Sequence, residues 1–196
     1  MKINDFSYSE KEKSLYIELL RHFSPDRIAE FGAGKTTSVL AEQSSASIVS
    51  WDNNEKWLNL VKESYQQTEW YQRVEFQTYD VTPKGGRDLE KKPIDWWGPL
   101  FDFILIDGPR SAHPTSYGRS GSFKFATLHT REGGCIVWHD NDRLHENVMA
   151  LTYLGHCLIH NEGRIGWCIW QHPQNWLSWT FWNNLSFRWR KRKLLA

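Results

Sequence analysis

Net charge is what this sequence has least of. Its 24 Lys and Arg set against 23 Asp and Glu leave +1, so no global field draws the chain to nucleic acid, and no nucleic-acid partner is expected. Cysteine is scarce as well. Cys135, Cys157 and Cys168 form no C-x-x-C pair, and Cys135 and Cys168 sit in apolar runs, where reduced buried thiols belong. There is no uninterrupted apolar stretch of ~18 residues, and Met1–Glu10 is polar with no apolar core behind it. The expectation is a soluble, cytoplasmic enzyme. At 196 residues, one domain can sustain a core without disulfides or a structural metal.

What is abundant is tryptophan, 12 in all, with a concentration near the carboxyl end. Trp176, Trp179, Trp182, Leu185 and Trp189 recur at nearly helical spacing into the basic run Arg188–Lys193. Residues 174–196 are therefore read as a helix or tail beyond a domain spanning 1–173. Two readings of its aromatic face stay open: packing on the sheet or on a second copy in a homodimer, and peripheral attachment to an anionic membrane.

The body of the chain alternates between apolar runs and amphipathic stretches. Helices are expected over Ser9–Phe23, Thr36–Gln43, Glu55–Gln66 and Gly121–Thr130. Strands are expected at Arg27–Phe31, Ser47–Trp51, Val74–Tyr79, Phe101–Ile106 and Cys135–Trp138. Cys157–His160 and Ile165–Trp170 flank the turn residues Asn161-Glu162-Gly163 as an antiparallel hairpin. The fold class is thus α/β: a Rossmann-like, doubly wound, mostly parallel seven-stranded sheet closed by a C-terminal hairpin. In such folds the ligand crevice lies outside the carboxyl ends of the strands. Glu30, Asp52, Asp107, His139 and Asp140 all fall at such ends.

The loop Gly32-Ala33-Gly34-Lys35-Thr36 invites three readings. A P-loop needs a glycine with four residues intervening before Gly34-Lys35, and that place is held by Ala29 inside the strand. A dinucleotide fingerprint needs glycine where Thr37 stands. A carboxylate beside the loop, Glu30, opposes a polyanion and favours a cationic ligand. Asp52 ends the next strand about twenty residues on, the place from which a carboxylate accepts ribose hydroxyls. A P-loop kinase or ATPase, and an inactive binding module on the same fold, remain as alternatives.

Four segments then carry a resemblance: Glu30-Phe31-Gly32-Ala33-Gly34-Lys35-Thr36-Thr37, Asp52-Asn53-Asn54-Glu55-Lys56-Trp57, Ile106-Asp107-Gly108-Pro109-Arg110 and Gly133-Gly134-Cys135-Ile136-Val137-Trp138-His139-Asp140. In order and spacing they resemble class I S-adenosylmethionine-dependent methyltransferases over residues 27 to 143. Asp107–Arg110, Gly118-Arg119 and His139–Arg143 are similar to O-methyltransferases of small molecules and polysaccharides, the glucuronoxylan 4-O-methyltransferase type among them. The resemblance implies S-adenosylmethionine as cofactor and O-methylation of a sugar or another small hydroxylated acceptor.

The expected cofactor set is Glu30, Phe31, Gly32, Ala33, Gly34, Thr36, Asp52, Asn53, Asp80 and Asp107. His139 is the expected general base, since imidazole titrates near neutrality and ends a strand; Asp107 and Arg110 stand with it as catalytic candidates. Asp107 has a second reading, joining Asp140 and Asp142 around Mg2+ or another divalent cation. Arg110 and Arg119 could pair with a substrate carboxylate such as a uronate. Trp96-Trp97 is read as packing against the sheet rather than as a sugar platform.

Overall fold

The structure is a computed structural model, and it describes residues 9–79, 96–109 and 119–173. In chain order the elements are α1 (Glu10–Phe23), β1 (Arg27–Phe31), α2 (Lys35–Gln43), β2 (Ser47–Asp52), α3 (Glu55–Tyr65), β3 (Val74–Thr78), β4 (Phe101–Ile106), α4 (Ser120–His129), β5 (Thr130–Trp138), α5 (Leu144–Leu154), β6 (Ile159–Glu162) and β7 (Ile165–Ile169). The seven strands lie in the order β3-β2-β1-β4-β5-β7-β6. The first five are parallel; β7 runs antiparallel to both β5 and β6.

Strand alternation decides which helices cover which face. Phe103 and Leu105 of β4 join Ile28, Ile48, Cys135 and Val137 in one core, roofed by Leu15, Leu19 and Leu20 of α1 and by Val39 and Leu40 of α2. Ile104 and Ile106 point the other way, with Phe31, Trp51, Ile136 and Trp138, under Phe123 and Phe125 of α4 and Met149 and Leu154 of α5. Because both faces are covered, the central strands read as nearly continuous apolar runs.

Local signals place α1. Ser9 caps it reciprocally with Glu12: the Ser9 hydroxyl accepts from the Glu12 amide at 3.2 Å, and the Glu12 carboxylate accepts from the Ser9 amide at 2.6 Å. The helix ends where Ser24 turns left-handed, φ 42°.

Three elements depart from the sequence expectation: β6 is Ile159–Glu162 rather than Cys157–His160, so Asn161 and Glu162 pair with β7 instead of forming the turn. α5 was not anticipated, because Glu146, Val148, Met149, Ala150, Thr152 and Leu154 are buried on several sides, which erases the polar face that marks a surface helix. β5 starts at Thr130 rather than Cys135, and its pairing with β4 shifts register between Phe101 and Phe103. Among the described residues no helix is long and apolar enough to cross a membrane. The tail at 174–196 lies outside the described residues.

Candidate active site

Strand β1 pairs with β2 on one side and β4 on the other. The chain winds outward from β1 in one direction and then from β4 in the other, so the gap between their carboxyl ends is the switch point where such sheets hold ligands. Two glycines meet there. A Cβ on Gly32 would lie 2.9 Å from the Gly108 nitrogen, and one on Gly108 would lie 2.8 Å from the Gly32 Cα. Gly32 also has φ +102°, a conformation that L side chains rarely adopt. Hydrogen bonds from the amides of Gly32 to Trp51 O (2.7 Å), Asp107 to Phe31 O (2.8 Å) and His139 to Ile106 O (3.0 Å) extend the ladders to the strand ends.

Glu30 lies beneath the loop and is fully buried. Its Oε1 accepts from the Thr36 hydroxyl at 2.8 Å, and its Oε2 accepts from Thr37 and Ser50, each at 2.6 Å. Thr37 Oγ1 also accepts from the Gly34 amide at 2.9 Å, so the carboxylate fixes the loop through its hydroxyls. Burial pushes the Glu30 carboxyl up to about 7, against the three hydroxyl bonds, with Asp107 adding to the rise. Sequence reasoning expected this charge to face a cationic ligand; both oxygens are instead spent on the loop itself. Thr36 is likewise engaged, and Phe31 packs in the core, stacked on Trp51 at 5.3 Å.

Asp52 ends β2, nearly buried, and accepts from the Asn54 amide at 2.8 Å. Burial raises its carboxyl to about 6, against backbone bonds from Asn54, Ala33 and Asn53. Asn54 caps α3 by accepting from the Trp57 amide at 3.2 Å, and the Trp57 indole donates to Ala33 O at 2.7 Å, closing the loop from outside. Asn53 is exposed beside it. Gly32, Ala33, Gly34, Asp52 and Asn53 thus share one end of the sheet, with Asp107 across the Gly32–Gly108 contact. Asp80 and Arg110 lie outside the described residues.

At the ends of β4 and β5 stands an ion-pair hub. Asp140, in the left-handed region at φ 61°, takes Arg119 at 2.9 Å and Arg143 at 2.8 Å on Oδ2, and Arg164 on Oδ1. Burial alone would raise its pKa. The hydrogen bond with His139 and the charges of Arg119, His139 and Arg143 outweigh that and hold it far below the usual carboxylate range. Arg119 is only 2 % exposed; it also donates to His139 O at 2.6 Å and Asp107 O at 2.9 Å. It clamps two strand ends together. The expected pairing of Arg119 with a substrate carboxylate is therefore corrected: the guanidinium is buried and its terminal nitrogens are already donated.

His139 touches three carboxylates: Glu12 Oε1 at 3.1 Å from Nε2, and Asp140 Oδ1 at 3.3 Å and Asp107 Oδ1 at 3.4 Å from Nδ1. Burial lowers its pKa, but the Asp140 hydrogen bond and the charges of Asp107 and Asp140 prevail over it, and the ring titrates above the ordinary imidazole value. Asp107, whose side chain is 30 % exposed, is raised by burial against the pull of His139 and Arg119.

The carboxylates expected to hold a divalent cation are not brought together as a set. Ligand atoms of Asp107, His139 and Asp140 lie within 4.8 Å of one another. Asp142, however, is turned outward, its side chain 57 % exposed and paired with Arg164 Nε at 3.6 Å. A cation would also have to displace the guanidinium groups that already neutralise Asp140, so this donor set does not fit one.

Glu12, Arg143 and Arg164 were missed from sequence. Glu12 carries a local signal, Ser9-x-x-Glu12, but it points to a helix cap; nothing local links it to a histidine 127 residues away. Beside Glu12 a cavity of about 160 Å³ opens between the start of α1 and the β6–β7 turn, lined by Ser9, Lys11, Leu15, Glu162, Gly163 and Arg164.

No protein-family model matches the sequence, and no curated protein matches it. Solved structures do match. A Bacillus cereus O-methyltransferase in complex with SAH is 17 % identical with TM-score 0.58, covering 84 % of this chain and 83 % of its own. The Streptomyces achromogenes O-methyltransferase TomG, involved in tomaymycin synthesis and solved with SAM, is 13 % identical with TM-score 0.57, covering 84 % and 82 %. A methyltransferase-like protein from Silicibacter pomeroyi reaches TM-score 0.61 at 16 % identity, over 88 % and 92 %. The chain has the fold of these methyltransferases. The β5-β7-β6 antiparallel end and the β1/β4 switch point are thus those of a methyltransferase-type Rossmann-like sheet.

Proposed function

We propose that the protein is an S-adenosylmethionine-dependent O-methyltransferase acting on a small hydroxylated acceptor, with a sugar as the finer reading drawn from the sequence resemblance. The observation that carries it is the braced glycine loop at the switch point followed by Asp52 at the end of the next strand, on a fold shared with SAM- and SAH-bound O-methyltransferases.

In this reading Asp52 accepts the ribose hydroxyls, with Asn53 beside it, and Asp80 is a further cofactor-binding candidate from the sequence. The backbone of Gly32–Gly34, held by Glu30 through Thr36 and Thr37, supports the methionine end opposite Asp107. When bound, the cofactor would supply a methyl group on a cationic sulfonium whose sulfur leaves as a neutral thioether. The protein then has only to align the acceptor oxygen and take its proton. His139 would take that proton from the acceptor oxygen, and Asp107 and Asp140 favour the imidazolium that results. Arg110 is proposed from the sequence as a partner for a carboxylate on the acceptor.

The test is methyl transfer from methyl-labelled cofactor to a panel of sugars, uronates and phenols, read as labelled product and as SAH. Label appearing on an acceptor oxygen, and lost in His139→Ala, supports the reading. Label on nitrogen or carbon alone would refute the O-methyl assignment.

A further inference from the structure

Glu12 belongs to the first helix, 127 residues before His139, yet its carboxylate meets His139 Nε2 at 3.1 Å. The contact is enclosed, with the His139 and Glu12 side chains 12 % and 10 % exposed. Glu12 is not free to wander. Its other oxygen accepts from the Ser9 amide at 2.6 Å and the Ser9 hydroxyl at 3.0 Å, so the helix cap that starts α1 also aims the carboxylate at the ring.

The two sides of the imidazole differ in what they ask of a proton. Nδ1 faces Asp140 at 3.3 Å and Asp107 at 3.4 Å. Asp140 is already neutralised by Arg119, Arg143 and Arg164, and Asp107 lies beside Arg119 at 3.5 Å. Each is a weakened acceptor. Glu12 has no arginine within ion-pair distance among the described residues and offers the shorter contact. The shorter contact, to a carboxylate with no arginine on it, favours Nε2 as the bearer of the single proton of the neutral ring. Nδ1 then holds the lone pair, on the side of the partly exposed Asp107.

We propose that Glu12 is the positioning residue of His139, fixing the Nε2–H tautomer so that Nδ1 is the ring atom that takes the acceptor's proton. The proposal rests on reading His139 as the base of a methyltransferase. It gives α1 a task beyond covering the sheet: its capped first turn orients the base, as the third member of a nucleophile–base arrangement orients a histidine.

The tautomer can be read without knowing the acceptor. Full-length protein labelled with 15N in its histidine rings, at a pH above the imidazole titration, reports which nitrogen of neutral His139 carries hydrogen. The wild type is expected to show protonated Nε2 and bare Nδ1. In Glu12→Gln the side-chain carbonyl still accepts from Nε2–H and the capping box is retained, so the pattern should persist. In Glu12→Ala the ring should shift to Nδ1–H or to a mixture. Protonated Nδ1 in the neutral wild type, or an unchanged pattern in a folded Glu12→Ala, overturns the assignment; the wild-type spectrum decides even if the alanine variant does not fold. SAH titrated into the same samples separates the failures. A wrong tautomer in protein that binds SAH overturns the role of Glu12 alone, whereas loss of SAH binding in the wild type overturns the methyltransferase reading with it.

Discussion

Replacing Glu30 by Gln tests whether the glycine loop stands on a buried carboxyl that resists ionisation. The side chain is fully buried, with three hydroxyls on its two oxygens, and burial carries it from 4.5 to about 7. The folded protein therefore holds this proton more tightly than the unfolded chain. Stability from this group is complete below pH 4.5 and falls as pH rises through about 7. The ionised form then costs about 3 kcal/mol relative to the protonated one. Gln at this position does not titrate. It keeps the volume and one carbonyl acceptor but forces two of the three hydroxyls to reorganise, a fixed penalty of about 1–3 kcal/mol at any pH. Urea unfolding of both proteins from pH 5 to pH 8.5 should show the wild type ahead by the largest margin at the acid end, with its advantage shrinking by about 3 kcal/mol across the range. Taking the difference cancels other groups that titrate alike in both. A margin that stays constant, or grows with pH, would refute the buried-carboxyl account of the loop.

Asp52 supplies a second pH dependence. Burial raises it to about 6, and only the ionised form fully accepts two ribose hydroxyls, so SAH affinity by calorimetry should strengthen as pH rises through 6 and lose that dependence in Asp52→Asn. Arg119→Met should destabilise the fold by about 1–3 kcal/mol in urea, since it removes one of three guanidinium partners of Asp140 and leaves His139 O and Asp107 O without that donor; an unchanged unfolding curve would show that Arg143 and Arg164 suffice. His139→Ala should bind SAH like the wild type yet turn over an identified acceptor about a hundredfold more slowly or worse, and undiminished turnover would remove the base assignment. Excess EDTA should leave turnover unchanged, because guanidinium groups already neutralise Asp140; activity restored by magnesium after chelation would reverse that.

The sheet was legible because its signals are local. Runs such as Phe101–Ile106 and Arg27–Phe31 announce strands buried on both faces, and Gly163 in the β6–β7 turn, at φ +60°, marks the hairpin. The acids at strand ends were legible for the same reason: once the strands are placed, Asp52, Asp107 and His139 follow. What the sequence could not show is which of these groups face each other. Glu30 reads as a free charge until Thr36, Thr37 and Ser50 are seen closing on it. Asp140 and Asp142 read alike as potential ligands, and only the fold separates the residue gripped by three arginines from the one turned to solvent. Arg119 reads as a loop residue; its burial depends on the convergence of β4 and β5. α5 escaped because contact with both α4 and the sheet leaves it no clean polar stripe.

The switch-point loop and Asp52 are proposed to form a site for S-adenosylmethionine rather than for a nucleotide polyphosphate. Calorimetric titration of the full-length protein with SAH and, separately, with ATP and magnesium tests it most directly. Saturable binding of SAH, weakened about 5- to 150-fold in Asp52→Ala as loss of about 1–3 kcal/mol requires, with no comparable binding of ATP, is the predicted result. Capture of ATP without SAH, or SAH affinity indifferent to Asp52→Ala, would contradict it.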